Sequence, residues 1–214
     1  MFLEENNKKK VILASKSPRR ADIFYKLNLD FKIIAPIRIK EKIFEDPAET
    51  VTFNSLRKAE NIARCIKTDK SAAFKKSDFE RLIIAGFDTI VFLEGRFFIK
   101  PESTEEAGEF LKIFSGKTHR VYSGVSLISL ADEKVFSGYD MTEVIFRELD
   151  DKDIEDYLEK ENVLDKAGAY NLDGYGCILV KKINGCFYNV AGLPVHKFLE
   201  MIKKLGYSLK DFQK

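Results

Sequence analysis

The chain has 214 residues, 45% of them hydrophobic and 18 of them phenylalanine, which is enough apolar material for a large core. Lysine plus arginine number 36 and aspartate plus glutamate 34, so no global field would recruit nucleic acid. No apolar run approaches the roughly 20 residues of a membrane span, and the N-terminus lacks the basic and apolar regions of a signal peptide. Three cysteines without Cys-x-x-Cys spacing indicate reduced thiols in a cytoplasmic protein, and two histidines argue against a histidine-based zinc site.

The predicted elements alternate between strands and helices along the chain. Strand patterns cover 11–14, 31–34, 82–92, 96–99, 119–130, 134–147 and 177–181. Helical patterns cover 18–27, 47–66, 103–114, 150–160 and the segment after Pro194. Ser103 and Glu106 predict a capping box, and the polar segment 67–79 predicts a surface loop. These patterns predict an α/β fold with a mixed twisted sheet flanked by helices, as one domain over 10–207 between tails at 1–9 and 208–214.

The segment Ala14–Arg20 joins the apolar run Val11–Leu13 to a helix that begins at Pro18. Proline suits the first helical turn because the N–H that it lacks has no partner there in any helix. Two hydroxyls and two guanidiniums therefore lie where a strand meets a helix N-terminus, and the free N–H groups and positive dipole end favour an anion. The planar guanidinium groups of arginine also favour an anion, because their N–H donors match the oxygens of a phosphate. The alternative is a helix cap with two solvated arginines.

A lone carboxylate, Asp88, interrupts the strongly apolar strand pattern Leu82–Phe92. A carboxylate in such a run is costly unless another group pairs with it or it coordinates a metal. Gly95 then predicts a turn into a partner strand, Phe97–Ile99, which is followed by Lys100. The alternative is a strand-end carboxylate that accepts hydrogen bonds from local backbone.

These two stretches, in this order, resemble the Maf family of nucleoside triphosphate pyrophosphatases. The family's opening motif is similar to Leu13–Arg20, and its catalytic strand is similar to Gly86–Val91 followed by Lys100-Pro101. The similarity continues through Ser115–Val121, Thr142–Phe146, Asp165–Tyr170 and Asn189–Pro194. The resemblance implies the fold of the Maf and ITPase-like proteins, with two lobes around a central cleft.

The resemblance also implies hydrolysis of a nucleoside triphosphate between its α- and β-phosphates, which needs positive charge, a divalent metal and an oriented water. Asp88 matches the family's proton acceptor and would orient or deprotonate that water, or bind the metal. Lys58 and Lys100 match the family's phosphate-facing lysines, although a solvated helix residue is the alternative for Lys58. Ser15, Arg19 and Arg20 would bind phosphate or metal-bound water at the helix start.

Glu41 matches an acidic position of the family and would be the second metal carboxylate beside Asp88. Arg38-Ile39-Lys40 stands where many relatives carry a further acid, and a solvated glutamate is the alternative for Glu41. Hard oxygen ligands and phosphates favour Mg²⁺ or Mn²⁺ over zinc.

Three positions of the family are associated with the choice of base. Arg19 and Thr89 match the branch that hydrolyses dTTP and UTP, whereas Asp173 stands where that branch typically has glutamine. An ionised aspartate only accepts hydrogen bonds, and glutamine also donates them. Asp173 therefore either accepts from a pyrimidine N3–H or belongs to a simple Asp-Gly turn. We expect dTTP and UTP as substrates, with modified or other nucleotides left open.

Two other function classes stay open besides an enzyme with a housekeeping or septum-related role. One is a non-catalytic nucleotide-sensing regulator of cell division, since the family has been linked to septum formation. The other is a nucleic-acid-binding domain, which the balanced charge disfavours. Asp88, Lys58 and Lys100 favour turnover. The expected partner is the nucleotide, with a homodimer left open and neither nucleic acid nor a membrane expected.

Overall fold

A computed structural model of the chain describes residues 8–68, 74 and 76–214. Its strands are β1 Lys10–Ala14, β2 Phe31–Ile33, β3 Leu82–Leu93, β4 Arg96–Phe98, β5 Thr118–Ser129, β6 Val135–Phe146 and β7 Val180–Asn184. Within the described residues they form a seven-stranded sheet in the order β2-β1-β3-β5-β6-β7, with β4 paired to β3. Strand β1 pairs in parallel with β2 and β3, whereas β3–β4 and β6–β7 are antiparallel. The predicted mixed α/β sheet is confirmed.

The five predicted helices are present, and a short helix over Phe187–Val190 was not predicted. They are α1 Pro18–Lys26, α2 Pro47–Thr68, α3 Thr104–Phe114, α4 Asp151–Lys160, α5 Phe187–Val190 and α6 Val195–Lys204. At the start of α3, the hydroxyl of Ser103 accepts a hydrogen bond from the amide of Glu106 at 3.2 Å. The carboxylate of Glu106 accepts from the amide of Glu102, at 2.6 Å, rather than from that of Ser103. The predicted capping box is therefore formed on one side only.

The last predicted strand, at 177–181, is wrong in its position. Residues Gly174–Ile178 form a 3-10 helix, and β7 begins only at Val180, which pairs with Phe146 of β6. The apolar run before Val180 reads as a strand in the sequence, but a strand also needs a neighbour in register. The predicted surface loop over 67–79 is wrong at its ends, because α2 runs to Thr68 and a 3-10 helix covers Lys76–Arg81. Residues 69–73 and 75 of that loop, and 1–7 of the predicted tail over 1–9, lie outside the described residues.

The first of two compact units comprises the described parts of Met1–Asp88, Gly124–Tyr139 and Leu193–Lys214. One face of its sheet is covered by α2, which is apolar at helical spacing along its buried side. The cluster between them contains Ile12, Ala14, Ala59, Ile62, Ala63, Ile66, Leu82, Ile84, Ile128 and Leu130. This core holds together β1, β3 and α2. The candidate site residues Ser15, Asp88 and Lys58 lie in or next to these three elements.

The second unit comprises Thr89–Ser123 and Asp140–Gly192. Its core packs aromatic side chains of α3, β5 and β6 around the ring of Phe114, which stacks on the imidazole of His119 at 4.5 Å between centroids. His119 is 1% exposed, and its Nε2 lies 2.7 Å from the hydroxyl of Tyr170. Burial lowers the pKa of His119 to about 3. The imidazole is therefore neutral at physiological pH.

Candidate active site

The turn between β1 and α1 places a hydroxyl and a guanidinium together. Ser15 is 4% exposed, and its Oγ accepts hydrogen bonds from the amide of Ser17 at 3.1 Å and from Arg20 at 3.2 Å. Since the hydroxyl accepts both, its own proton is left to donate. Arg20 also donates to the backbone oxygen of Phe87 at 3.2 Å. The opening motif is thus joined to β3 at the residue before Asp88.

The carboxylate predicted to be unusual is buried and paired. Asp88 lies in β3 and is 4% exposed, and its Oδ1 lies 2.6 Å from the ammonium nitrogen of Lys58 in α2. The side chain of Lys58 is itself only 15% exposed. A buried ion pair of this kind adds little net stability, because desolvation offsets most of the attraction. Asp88 bonds to side chains of α2, so the alternative of a carboxylate bonded to local backbone is wrong.

Lys58 also contacts the second predicted metal carboxylate. Its ammonium lies 2.6 Å from Oε1 of Glu41, which belongs to the irregular segment before α2 and is half exposed. One cation thus bridges two carboxylates, one buried and one open to solvent. The structure brings Ser15, Arg20, Lys58 and Asp88 into one unit together with Glu41. Lys58 is therefore not the solvated helix residue left open above, whereas Glu41 is exposed and its role stays a prediction.

Asn54 belongs to this cluster and was missed in the sequence. It precedes Lys58 by four residues, so both side chains project from the same face of α2. Asn54 is 2% exposed and donates from Nδ2 to Oδ2 of Asp88 at 3.3 Å. The available signal was a run of polar residues, Thr50, Asn54 and Ser55, within the apolar stripe of this helix.

The electrostatics of the cluster centre on Arg20. Burial lowers the pKa of this guanidinium to about 10, the charge of Asp88 opposes the shift, Arg19 adds to it, and Glu41 opposes it. The group therefore stays cationic at neutral pH. The cluster combines two cations, Arg20 and Lys58, with two carboxylates. Such a set can bind an anion and still offer an oxygen base beside it.

Three residues predicted from the sequence lie in the second unit. Thr89 follows Asp88 directly, and its hydroxyl lies 2.9 Å from that of Ser123 and 3.4 Å from the backbone oxygen of Gly192. Lys100 is exposed just after β4, and Asp173 is exposed just before a 3-10 helix that its side chain does not cap. The roles of these three residues, and that of Arg19, stay predictions.

Two further features were looked for in the described residues: a cluster of metal-binding side chains and a membrane-spanning helix. Among the described residues, no group of three or more His, Cys, Asp or Glu side chains is arranged to hold a metal ion. Across residues 8–68 and 76–214, no helix is both long and apolar enough to cross a membrane.

Comparison with known proteins gives extensive similarities. A family model described as Maf-like protein matches residues 10–205. A dTTP/UTP pyrophosphatase of Carboxydothermus hydrogenoformans is 40% identical over 199 residues, which cover 92% of this chain and 100% of that protein. The dTTP/UTP pyrophosphatase of Thermotoga maritima is 39% identical over 198 residues, 92% of this chain and 90% of the relative. A HAM1 protein structure from Coxiella burnetii aligns with 64% of this chain and 73% of its own at 14% identity, with a TM-score of 0.39.

Proposed function

The chain belongs to the Maf family, and from that premise we propose that it hydrolyses nucleoside triphosphates, dTTP and UTP foremost, to the monophosphate and pyrophosphate. Relatives that share 35% to 40% of its residues over nearly their whole length are named dTTP/UTP pyrophosphatase. The observation that carries the proposal is the bridge from Lys58 to Asp88 and Glu41, with 2.6 Å to each carboxylate. It joins a buried carboxylate, a second carboxylate and an ammonium group in one cluster, which supports roles as base, metal ligand and phosphate-binding cation.

The reaction requires a proton acceptor for water and cationic or hydroxyl groups that bind phosphate, and the cluster contains both. A water oxygen bonds to the α-phosphorus, the α–β anhydride bond breaks, and the bridging oxygen leaves with pyrophosphate. Asp88 would accept the proton of the attacking water. Arg20 and the Ser15 hydroxyl would bind phosphate oxygens, and the ammonium of Lys58 would exchange a carboxylate partner for a phosphate oxygen.

A divalent cation fits the residues that are present. Glu41 and Asp88 both direct a carboxylate oxygen at the same cationic atom, so two hard oxygen ligands already lie around one position. Mg²⁺ and Mn²⁺ are commonly bound by one or two carboxylates, with waters and phosphate oxygens as the other ligands. When bound, the cation would neutralise the charge that develops on the phosphates and lower the pKa of a water. Asp88 and Glu41 are the residues that would hold it.

The experiment that tests this proposal determines which phosphoanhydride bond is cleaved. Purified chain is incubated with UTP or dTTP and Mg²⁺ or Mn²⁺ in ¹⁸O-labelled water, and the products are resolved by ³¹P NMR. Cleavage between the α- and β-phosphates gives the monophosphate and pyrophosphate, whereas cleavage at the γ-phosphate gives the diphosphate and orthophosphate. Tight nucleotide binding without either product would support the non-catalytic regulator instead.

A further inference from the structure

The segment Ile37–Phe44 carries Glu41 and lies outside the helices and strands. Buried or half-buried side chains of α2 supply backbone partners along it. The amide of Phe44 donates to the hydroxyl of Thr50 at 2.9 Å. The backbone N–H and C=O of Lys42 both bond to the side chain of Asn54, at 3.0 and 2.9 Å. One helix thus replaces the ladder that a neighbouring strand would give this segment.

Asn61 repeats the same contact two helical turns further on. Its Oδ1 accepts from the amide of Ile37 at 3.1 Å, and its Nδ2 donates to the oxygen of Ile37 at 3.2 Å. Asn54 and Asn61 are seven residues apart, which places them on one face of α2 with Lys58 between them. The two asparagines therefore hold the segment on either side of Glu41.

Asn54 also contacts the candidate base. Its carboxamide has one acceptor used by Lys42 N–H and two N–H donors, one for the oxygen of Lys42 and one for Oδ2 of Asp88. All the hydrogen-bonding groups of the amide are thus engaged, and turning it over would place donor against donor and acceptor against acceptor. A buried polar group so completely engaged has one orientation. It fixes the positions of the segment and of Asp88 relative to each other.

We propose that Asn54 is a positioning residue of this site, which sets the two carboxylates Glu41 and Asp88 at the separation that lets them share one cation. The proposal rests on the proposed function for its catalytic consequence, but its geometric content is independent of turnover. Partners that orient ligating carboxylates typically change metal affinity about 10- to 100-fold when they are removed. In this role the residue acts through the two carboxylates and not on the substrate.

The test compares Asn54→Ala with Asn61→Ala, a matched change of the same residue type on the same helix. Mn²⁺ binding to the full chain without nucleotide is measured by electron paramagnetic resonance. We expect the Kd for Mn²⁺ to rise by about tenfold or more in Asn54→Ala and by less than about threefold in Asn61→Ala. Hydrogen–deuterium exchange should rise over 37–44 in both variants, because each loses an acceptor for a backbone N–H. With UTP, kcat should fall in Asn54→Ala by more than KM rises.

Equal Mn²⁺ affinities for wild type and Asn54→Ala would overturn the proposal, and so would equal losses in the two variants. A wild-type chain that binds no Mn²⁺ would overturn it as well, because no metal site would exist for Asn54 to arrange. Failure of the proposed function is distinguishable: wild type would then release no pyrophosphate while the two variants still differed in Mn²⁺ affinity. If Asn54→Ala does not fold, Asn54→Ser replaces it, since one hydroxyl proton cannot serve both Lys42 and Asp88.

Discussion

Gly86 of β3 lies directly beneath the backbone oxygen of Ser55 in α2. A Cβ atom built at Gly86 would lie 2.2 Å from that oxygen and 2.9 Å from the amide nitrogen of Ala59. Only glycine permits so close an approach of helix and strand. The approach lets the amide of Asn54 and the ammonium of Lys58, on either side of Ser55, reach Asp88 two residues further along the strand.

We expect Gly86→Ala to lower the free energy of unfolding by about 1–3 kcal/mol or more, because α2 must move away from β3. The Lys58–Asp88 contact should lengthen with it, so turnover should fall as well. Gly108→Ala is the control, since a Cβ there meets nothing closer than 3.4 Å and Gly108 lies inside α3. That change should be neutral or stabilising by about 0.5–1 kcal/mol. Urea unfolding measures both, and equal stabilities of wild type and Gly86→Ala would contradict the packing argument.

Asp88→Asn should abolish turnover while the fold and nucleotide binding stay largely intact. Asparagine has the same shape and can still accept hydrogen bonds, but it cannot take a proton from water and is a weak metal ligand. Asp22→Asn on the exposed face of α1 removes the same charge away from the cluster and should retain full activity. The measurement is pyrophosphate release with UTP and dTTP. More than a tenth of wild-type turnover in Asp88→Asn would show that this carboxylate is neither base nor essential metal ligand.

Arg20→Ala and Lys100→Ala should each lower kcat/KM by roughly 10²-fold or more. Charge-assisted contacts to phosphate contribute about 1.5–3 kcal/mol, and more where charge develops in the transition state. Lys181→Ala, on the exposed part of β7, is the control for a lost surface lysine. The losses should be equal for all nucleobases, because the phosphates are common to every substrate. A loss confined to one base would exclude a phosphate-binding role.

Asp173→Gln tests whether this residue takes part in the choice of base. If Asp173 faces the base, its acceptor-only carboxylate should tolerate bases that present donors, so CTP or GTP should be measurably hydrolysed. Glutamine restores a donor and should sharpen the preference for UTP and dTTP by roughly 1–2 kcal/mol. The values of kcat/KM for the four nucleotides are compared, with Glu159→Gln on α4 as a control for a lost carboxylate. Unchanged ratios would mean that Asp173 is a turn residue.

The buried histidine predicts an acid sensitivity of folding. The pKa of His119 is about 3 in the folded chain and about 6.5 in the unfolded chain. Between pH 6.5 and pH 3, therefore, the unfolded state takes up a proton on this imidazole and the folded state does not. Stability from this source is complete above pH 6.5 and falls by about 1.4 kcal/mol per pH unit toward pH 3. His119→Phe should remove one proton from the measured slope of unfolding free energy against pH between 6 and 4. An identical slope in the variant would mean that other groups dominate.

Local chemistry was readable from the sequence wherever neighbouring residues decide it. The strand–turn–helix at Ser15–Arg20 was predictable because Pro18 and apolar spacing act within a few residues. Asp88 was recognisable for a related reason: a carboxylate among Ile, Val and Phe conflicts with burial, and the conflict is visible in the sequence alone. The motifs in family order then identified the family, which the match over 10–205 confirms.

The sequence pattern did not predict which residues far apart in the chain pair with each other. The start of β7 depends on where Val180 meets Phe146, not on the apolar run before it. The role of Asn54 depends on which backbone and which carboxylate lie opposite one face of α2, and a helix pattern shows only that the face is buried. The sequence by itself therefore determined the fold class and the buried carboxylate, because these follow from local propensity and burial, and it determined the family through its ordered motifs. Only the tertiary structure decided which groups share a cation, because that depends on atoms far apart in the chain meeting at hydrogen-bond distance.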